Sequence, residues 1–249
     1  MRCAIALCLG FLVLASAATA RISESTNEPA DTDKALQWSD GKTLRLPVSG
    51  ATLTASAPVR QLTGRDAARV WTAVSGGPAP AGIEALLHDP RTGEMVIFQN
   101  LGRGYVRFDD WGTLDPDAIL RSVAEIAEAG NPRRRRAGLP GVHVVGWLEP
   151  PSLDRSTNSV RWAIEASSDH GLPVISSMAL VFGRGGFEKL IWGGKAMFAS
   201  RGNLLKIGQA NFAFPVGGRY TDYQVGDRLS EHGIASTIAA ILRMKEPVE

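Results

Sequence analysis

The sequence predicts an α+β fold, a mostly antiparallel sheet with helices packed on it. Two observations lead there. Segments that alternate apolar and polar residues come in pairs, reversed through Pro-, Asp- and Gly-rich turns. Segments with apolar residues at three- and four-residue steps stand between those groups.

The elements follow in order from Trp38, where structure is expected to begin. Residues 42–46 and 51–55 alternate with period two and join through Pro47 and Gly50 as a short hairpin. Thr63 is placed to cap a helix through Ala67, Val70, Trp71 and Val74, which Ser75-Gly76-Gly77-Pro78 terminates. Residues 82–88, 95–99 and 104–108 read as strands, the first two reversed through Asp89-Pro90-Arg91-Thr92-Gly93. Asp115 caps a helix with Pro116 at its first position. Its apolar stripe is Ile119, Leu120, Val123, Ile126 and Ala127, and Gly130-Asn131-Pro132 is expected to end it. In the second half, residues 142–148, 159–166, 174–182 and 187–192 suit strands, the first connection running through Pro150-Pro151 and 154–158. A helix is expected within 196–209. A last one is expected from Asp227, as its cap, to about residue 245.

Residues 1–20 read as a secretory signal peptide. Arg2 is the positive start, 4–15 are apolar, and Ala18-Thr19-Ala20 offers small residues for cleavage. That run falls short of the about 20 apolar residues a bilayer requires. Residues 21–37 are polar and read as a flexible leader, followed by an α+β domain over 38–245. Its repeated strand, proline turn, strand, strand order allows two similar lobes, 38–130 and 139–245. The expected location is the periplasm or exterior, with membrane association if the signal stays uncleaved. Cys3 and Cys8 both lie in the signal, so the mature chain is cysteine-free, with no disulfide or thiol chemistry. No transmembrane span is expected in it, since the next apolar stretch, 233–242, is half the needed length. The net charge of +2, of which Arg2 supplies one, gives no bulk drive toward nucleic acid.

Candidate chemistry is sparse. His88, His143, His170 and His232 are scattered without metal-ligand spacing, so no metal and no cofactor is expected, and His143 reads as a sheet residue. Ser168-Asp169-His170 are chain neighbours in a loop, whereas catalytic triads assemble from separated segments. Asp109, Asp110, Asp115 and Asp117 read as caps and a solvated turn in preference to a calcium loop. Gly183-Arg184-Gly185-Gly186 reads as a hairpin turn using positive φ, the other reading being a phosphate-cradling loop. Glu149 and Asp154 flank the double proline and are candidates for paired hydrolytic carboxylates. Arg133, Arg134, Arg135 and Arg136, expected in a loop past a helix end, offer forked donors to phosphates or carboxylates, against the reading of a solvated charge run. Arg219 and Asp222 are expected as a buried pair locking the last helix, or as part of a ligand-recognition loop.

Several stretches together resemble one family. They are Gly104-Tyr105-Val106; Asn131 with Arg135 and Gly138; Gly146-Trp147-Leu148-Glu149-Pro150-Pro151 with Asp154; Arg161-Trp162-Ala163; Gly183-Arg184-Gly185-Gly186; and Gly218-Arg219-Tyr220-Thr221-Asp222-Tyr223. The chain is similar over roughly residues 38–243 to the uncharacterised bacterial membrane-anchored proteins of domain of unknown function 2167. The resemblance implies an envelope location and a periplasmic α+β module, and no mechanism. It marks Gly146, Trp147, Pro150, Pro151, Asp154, Gly183, Arg184, Tyr220 and Asp222 as structural motif residues, and singles out Arg135 within the arginine run. This chain departs from the pattern at Leu153, where a tyrosine is usual, and at Ile175-Ser176-Ser177-Met178-Ala179-Leu180, where Asn and Arg are usual. It also stops at Glu249, where family members commonly continue into an apolar membrane segment.

The functional expectation is an exported, non-catalytic binding or assembly accessory module whose partner is an envelope protein or an anionic lipid. The alternatives are a carboxylate hydrolase of the envelope and a peripheral lipid binder acting through the arginine run.

Overall fold

The period-two segments of both halves build one sheet. The structure, a computed structural model, describes residues 36–75, 78–195 and 203–243. The expected signal peptide, most of the leader, and the end of the last helix past Arg243 lie outside the described residues. The elements are β1 (Ser39–Asp40), β2 (Thr43–Arg45), β3 (Thr52–Thr54), β4 (Arg60–Thr63), α1 (Gly64–Ser75), β5 (Ile83–Asp89), β6 (Glu94–Leu101) and α2 (Pro116–Arg136). After them come β7 (Val142–Asp154), β8 (Ser159–Ser168), β9 (Pro173–Gly183), β10 (Gly186–Lys195), α3 (Asn203–Ala210), β11 (Phe212–Ala213) and α4 (Ile234–Leu242). Among the described residues the large sheet has the order β1-β4-β5-β6-β10-β9-β8-β7, antiparallel throughout, and a small sheet has the order β11-β3-β2. The α+β class is as expected. The segments 38–130 and 139–245 share the large sheet, joined where Leu190 of β10 pairs with Phe98 of β6.

Strand alternation sends neighbouring side chains to opposite faces, so one sheet serves separate cores. Leu87, Val96, Phe98, Leu190 and Trp192 face α3 and the small sheet, packing with Leu204, Leu205, Leu53 and Phe212. On the other face, Leu86, Ile97 and Ile191 receive Trp71 of α1. Farther along that face Trp162, Leu180 and Phe182 receive Ile119 and Val123 of α2 with Ile234 and Ile238 of α4. No helix among the described residues is long and apolar enough to cross a membrane.

Four expectations are corrected. First, α2 does not stop at Gly130-Asn131-Pro132 but runs to Arg136, with Pro132 inside it. Proline removes one helical donor, and lateral bonds offset that loss. Asn131 donates to the Val142 carbonyl (3.0 Å) and accepts from the Val142 amide (2.8 Å), while Arg134 Nε donates to the Pro140 carbonyl (2.8 Å). Second, β7 continues through Pro150 and Pro151 to Asp154, so no connection begins there. It is an edge strand, where prolines leave no ladder bond unmade on the open side, and its register shifts around Glu149 absorb them. Third, 104–108 is no ladder strand. Only Tyr105 bridges, in parallel, to Leu229, because Gly104 (φ +87°) lies against the backbone of Arg228 and Leu229.

Fourth, the last helix starts at Ile234, not near Asp227, and its cap comes from a distant segment. The Asp110 carboxylate accepts from the amides of Ala235 (3.1 Å) and Ser236 (3.4 Å). Asp115 caps α2 as expected, accepting from the Ala118 amide at 2.9 Å. Replacing Asp110 by alanine is expected to cost about 1 kcal/mol, read as a lower urea midpoint with an unchanged slope.

Candidate functional site

The β9–β10 hairpin reverses in two residues, Arg184 and Gly185, with Gly183 paired to Gly186. A tight turn aims the Arg184 guanidinium at loop 214–233. Its Nε and Nη2 donate to the two carboxylate oxygens of Asp227, both at 2.7 Å. Nη2 also reaches Gln224 Oε1 (3.3 Å), and Nη1 reaches the Gly217 carbonyl (3.4 Å). Asp227 further accepts from the Gln224 amide (2.8 Å). The Arg184 fork holds the Asp227 carboxyl below the usual carboxylate range.

Arg184 thereby ties two β-turns together. One closes where the Gly218 amide donates to the Pro215 carbonyl (2.9 Å), the other where Asp227 donates to Gln224 (3.0 Å). Each has glycine at its third position, Gly217 (φ +84°) and Gly226 (φ +100°), which is the type II pattern. Each has valine at its second position, where the side chain stands on the turn's outer corner. Val216 is 82% exposed and Val225 99%.

Aromatic packing fixes the base of the loop. Tyr105 lies between Tyr220 (4.5 Å between ring centres) and Tyr223 (4.3 Å), and Tyr220 stacks on Phe108 (4.3 Å). The Tyr220 hydroxyl donates to the Val106 carbonyl (3.0 Å), and burial pushes its pKa up. Asp222 does not form the expected buried pair with Arg219. Its carboxylate accepts from the amides of Gly217 (2.8 Å) and Arg219 (3.0 Å), and the Arg219 side chain is left exposed. Between the hairpin and the loop is an open cleft of about 420 Å³, lined by Gly102, Gly104, Gly185, Gly217, Gly218 and the exposed Arg228 among others.

The arginine run lies at the other end of the sheet and is not a loop. It forms the last turn of α2. Arg134 is buried, and desolvation lowers its pKa. Arg135 forks onto Asp169 (2.8 and 2.6 Å), while Arg133 and Arg136 are exposed. The four guanidiniums therefore do not share one surface.

His143 stands in β7 as expected, but its ring links two elements. Nδ1 lies 2.7 Å from Glu128 of α2 and Nε2 lies 2.9 Å from Asp169 of the β8–β9 turn. Asp169 first, then Glu128, raise its pKa above the ordinary 6.5. A raised histidine contributes stability that is complete below about pH 6.5 and is lost as pH rises through the folded value. The exposed setting keeps the effect below about 1 kcal/mol. His143→Gln is expected to flatten the decline in thermal midpoint above that pH, and an unchanged decline would assign it elsewhere.

The remaining motif residues have local roles. Trp147 Nε1 donates to the Pro116 carbonyl (3.2 Å), joining β7 to the start of α2, and Gly146 follows a register shift in the same strand. Glu149 pairs with Arg161 (2.7 Å). Asp154 accepts from Ser156 in the β7–β8 turn (2.8 Å), which lowers its pKa. These two carboxylates thus have separate partners. Ser168 and Asp169 also point apart, Ser168 Oγ accepting from the amides of His170 and Leu172.

A second carboxyl pair gave no sequence signal. Glu84 and Glu188 are fully buried on neighbouring parts of the sheet. Glu84 accepts from the amides of Val48 (2.7 Å) and Ser49 (2.9 Å), and Glu188 from Asn100 (3.2 Å). Burial first, then the charge of Glu84, push Glu188 well above the carboxylate range. A bulge between Ile83 and Ala85 aims Glu84 inward, and strand alternation alone does not reveal that.

Comparison with curated proteins finds no match. Among solved structures, that of cyanobacterial PsbP (CyanoP) from Synechocystis sp. PCC 6803 is similar with a TM-score of 0.38 and 11% identity, over 72% of this chain and 92% of that one. The family described as Protein of unknown function (DUF2167) matches residues 39–246, and the chain belongs to it.

Proposed function

We propose that this is an exported protein of the bacterial cell envelope, acting as a non-catalytic binding or assembly accessory, and that its recognition face is the valine-tipped loop 214–233. Export is supported by the first twenty residues, with their positive start, apolar run and small-residue cleavage pattern. The observation that carries the binding assignment is the Arg184 hub. One buried-side fork holds Gly217, Gln224 and Asp227, and so presents Val216 and Val225 together at the surface. Two exposed aliphatic side chains held on one support offer apolar area whose burial against a partner is favourable.

The test is photo-crosslinking in intact cells from a reactive side chain placed at Val225, compared with one at Leu172. Leu172 is similarly apolar and exposed but sits in the β8–β9 turn at the opposite end of the sheet. Adducts from Val225 alone support the assignment. Equal adducts from both positions, or from Leu172 only, overturn it.

A further inference from the structure

We propose that the loop 214–233 face docks on an anionic lipid surface. In that pose Val216 and Val225 reach below the head groups, and Arg219 and Arg228 meet lipid phosphates at the mouth of the glycine-lined cleft. The inference rests on the binding role of this face and names its partner.

The shape of the apolar element favours lipid. Val216 and Val225 are single side chains on the corners of two turns, 82% and 99% exposed, and they protrude. A fluid interface accepts such prongs without a complementary pocket, whereas a protein partner has to supply one. Behind them Tyr223 and Leu229 are exposed as well. Tyrosine suits the boundary between head groups and acyl chains, with an apolar ring and a polar tip. The Arg184 fork holds both turns to one support, so the two prongs reach the surface as a unit.

The charges point the same way. Around the prongs Asp227 is held by Arg184, Asp222 by the amides of Gly217 and Arg219, and Asp110 by the first amides of α4, while the exposed Asp109 lies 3.7 Å from Arg107. Arg219 and Arg228 are exposed and make no ion pair among the described residues. Glu231 is the exposed carboxylate of the loop and lies past Leu229, toward α4. Guanidiniums projecting beside aliphatic prongs match the order of a lipid surface, anionic phosphate outside and hydrocarbon beneath. Gly102, Gly185 and Gly218 carry no side chains into the cleft, and Arg184 and Asp227, which also line it, are paired with each other, so Arg228 is the lining guanidinium left to meet a phosphate. The α2 arginines offer no such arrangement, since Arg134 is buried and Arg135 is held by Asp169.

The test is sedimentation of the purified protein, as the cell produces it, with vesicles of phosphatidylglycerol mixed into phosphatidylcholine and with vesicles of phosphatidylcholine alone. Binding is expected only to the anionic vesicles and to weaken with salt. Val216→Asp with Val225→Asp is expected to weaken it by about tenfold or more, each prong having contributed apolar burial. Arg219→Gln with Arg228→Gln is expected to weaken it and to reduce its salt dependence. Near-ultraviolet circular dichroism verifies that each variant is folded. Binding that survives both pairs but falls with Arg133→Gln and Arg136→Gln would overturn the inference. Protection of the loop by inorganic phosphate without vesicle binding would also overturn it, leaving a plain anion site. Absence of vesicle binding, together with protein adducts from Val225, would reject lipid while upholding the binding face. Absence of both would reject both.

Discussion

Arg184→Ala will release the loop 214–233 and lower the stability of the protein, because the charge-assisted hydrogen bonds to the Asp227 carboxylate are lost. The substitution leaves Asp227 without its fork and frees the Gly217 carbonyl and Gln224 side chain together. Hydrogen exchange should report the loss at 215–218 and 224–227, where the two turn bonds close. Lysine keeps the charge but cannot make the two parallel bonds, so Arg184→Lys should recover only part of the stability. In a double-mutant cycle, Arg184→Ala and Asp227→Ala should cost far less together than the sum of each alone. Additive costs would show that the two turns are held by something other than this pair.

Glu188→Gln is expected to stabilise the protein, and to do so more as pH rises. Glu188 is fully buried, and burial first, then the Glu84 charge, push its pKa well above the carboxylate range, which favours the neutral form in the folded state. An unfolded glutamate ionises near 4.5. Above that pH unfolding releases a proton, so the unfolded state is favoured by about 1.4 kcal/mol for each pH unit until the folded carboxyl also ionises. Glutamine has the shape of the neutral acid. Its oxygen takes the bond from Asn100, now 3.2 Å, and its amide faces Glu84. Urea denaturation should find parent and variant close near pH 5 and well separated at pH 8, with the parent falling. A gap that does not change with pH would mean that Glu188 is ionised in the folded protein. The window begins about two pH units below that of His143, which separates the two groups experimentally.

Much of the fold was legible because it depends on local chemistry. The hairpin at β2–β3, the strands β5, β6 and β8–β10, and the Asp115 cap of α2 all follow from alternation, turn residues and a side chain close to the amide it binds. The family was legible too, its match covering residues 39–246. The errors share a physical origin. Pro132 looks like a helix stop, yet Asn131 and Arg134 tie the following turn to the chain beyond it. Pro150 and Pro151 look like a connection, yet an edge strand tolerates them. Asp227 looks like a cap for the helix that follows it, but an arginine on another hairpin takes it, and Asp110 from the far side of α2 supplies the cap.

The candidate site shows the same division. The chain itself determined that Gly183-Arg184-Gly185-Gly186 turns a hairpin, although the positive φ falls at Gly186 (+153°), just past the two turn residues. It also determined the two type II turns, each with its Val-Gly pair, and the turn type alone sets the valine on the corner. Which residues meet was decided by tertiary structure. The contacts of Arg184 with Asp227, Tyr105 with Tyr220, Glu84 with Glu188, and His143 with Glu128 and Asp169 join segments far apart in the chain. Local patterns encode backbone conformation over a few residues, whereas pairing of charges and rings depends on strand order, bulges and register, which only the assembled sheet sets.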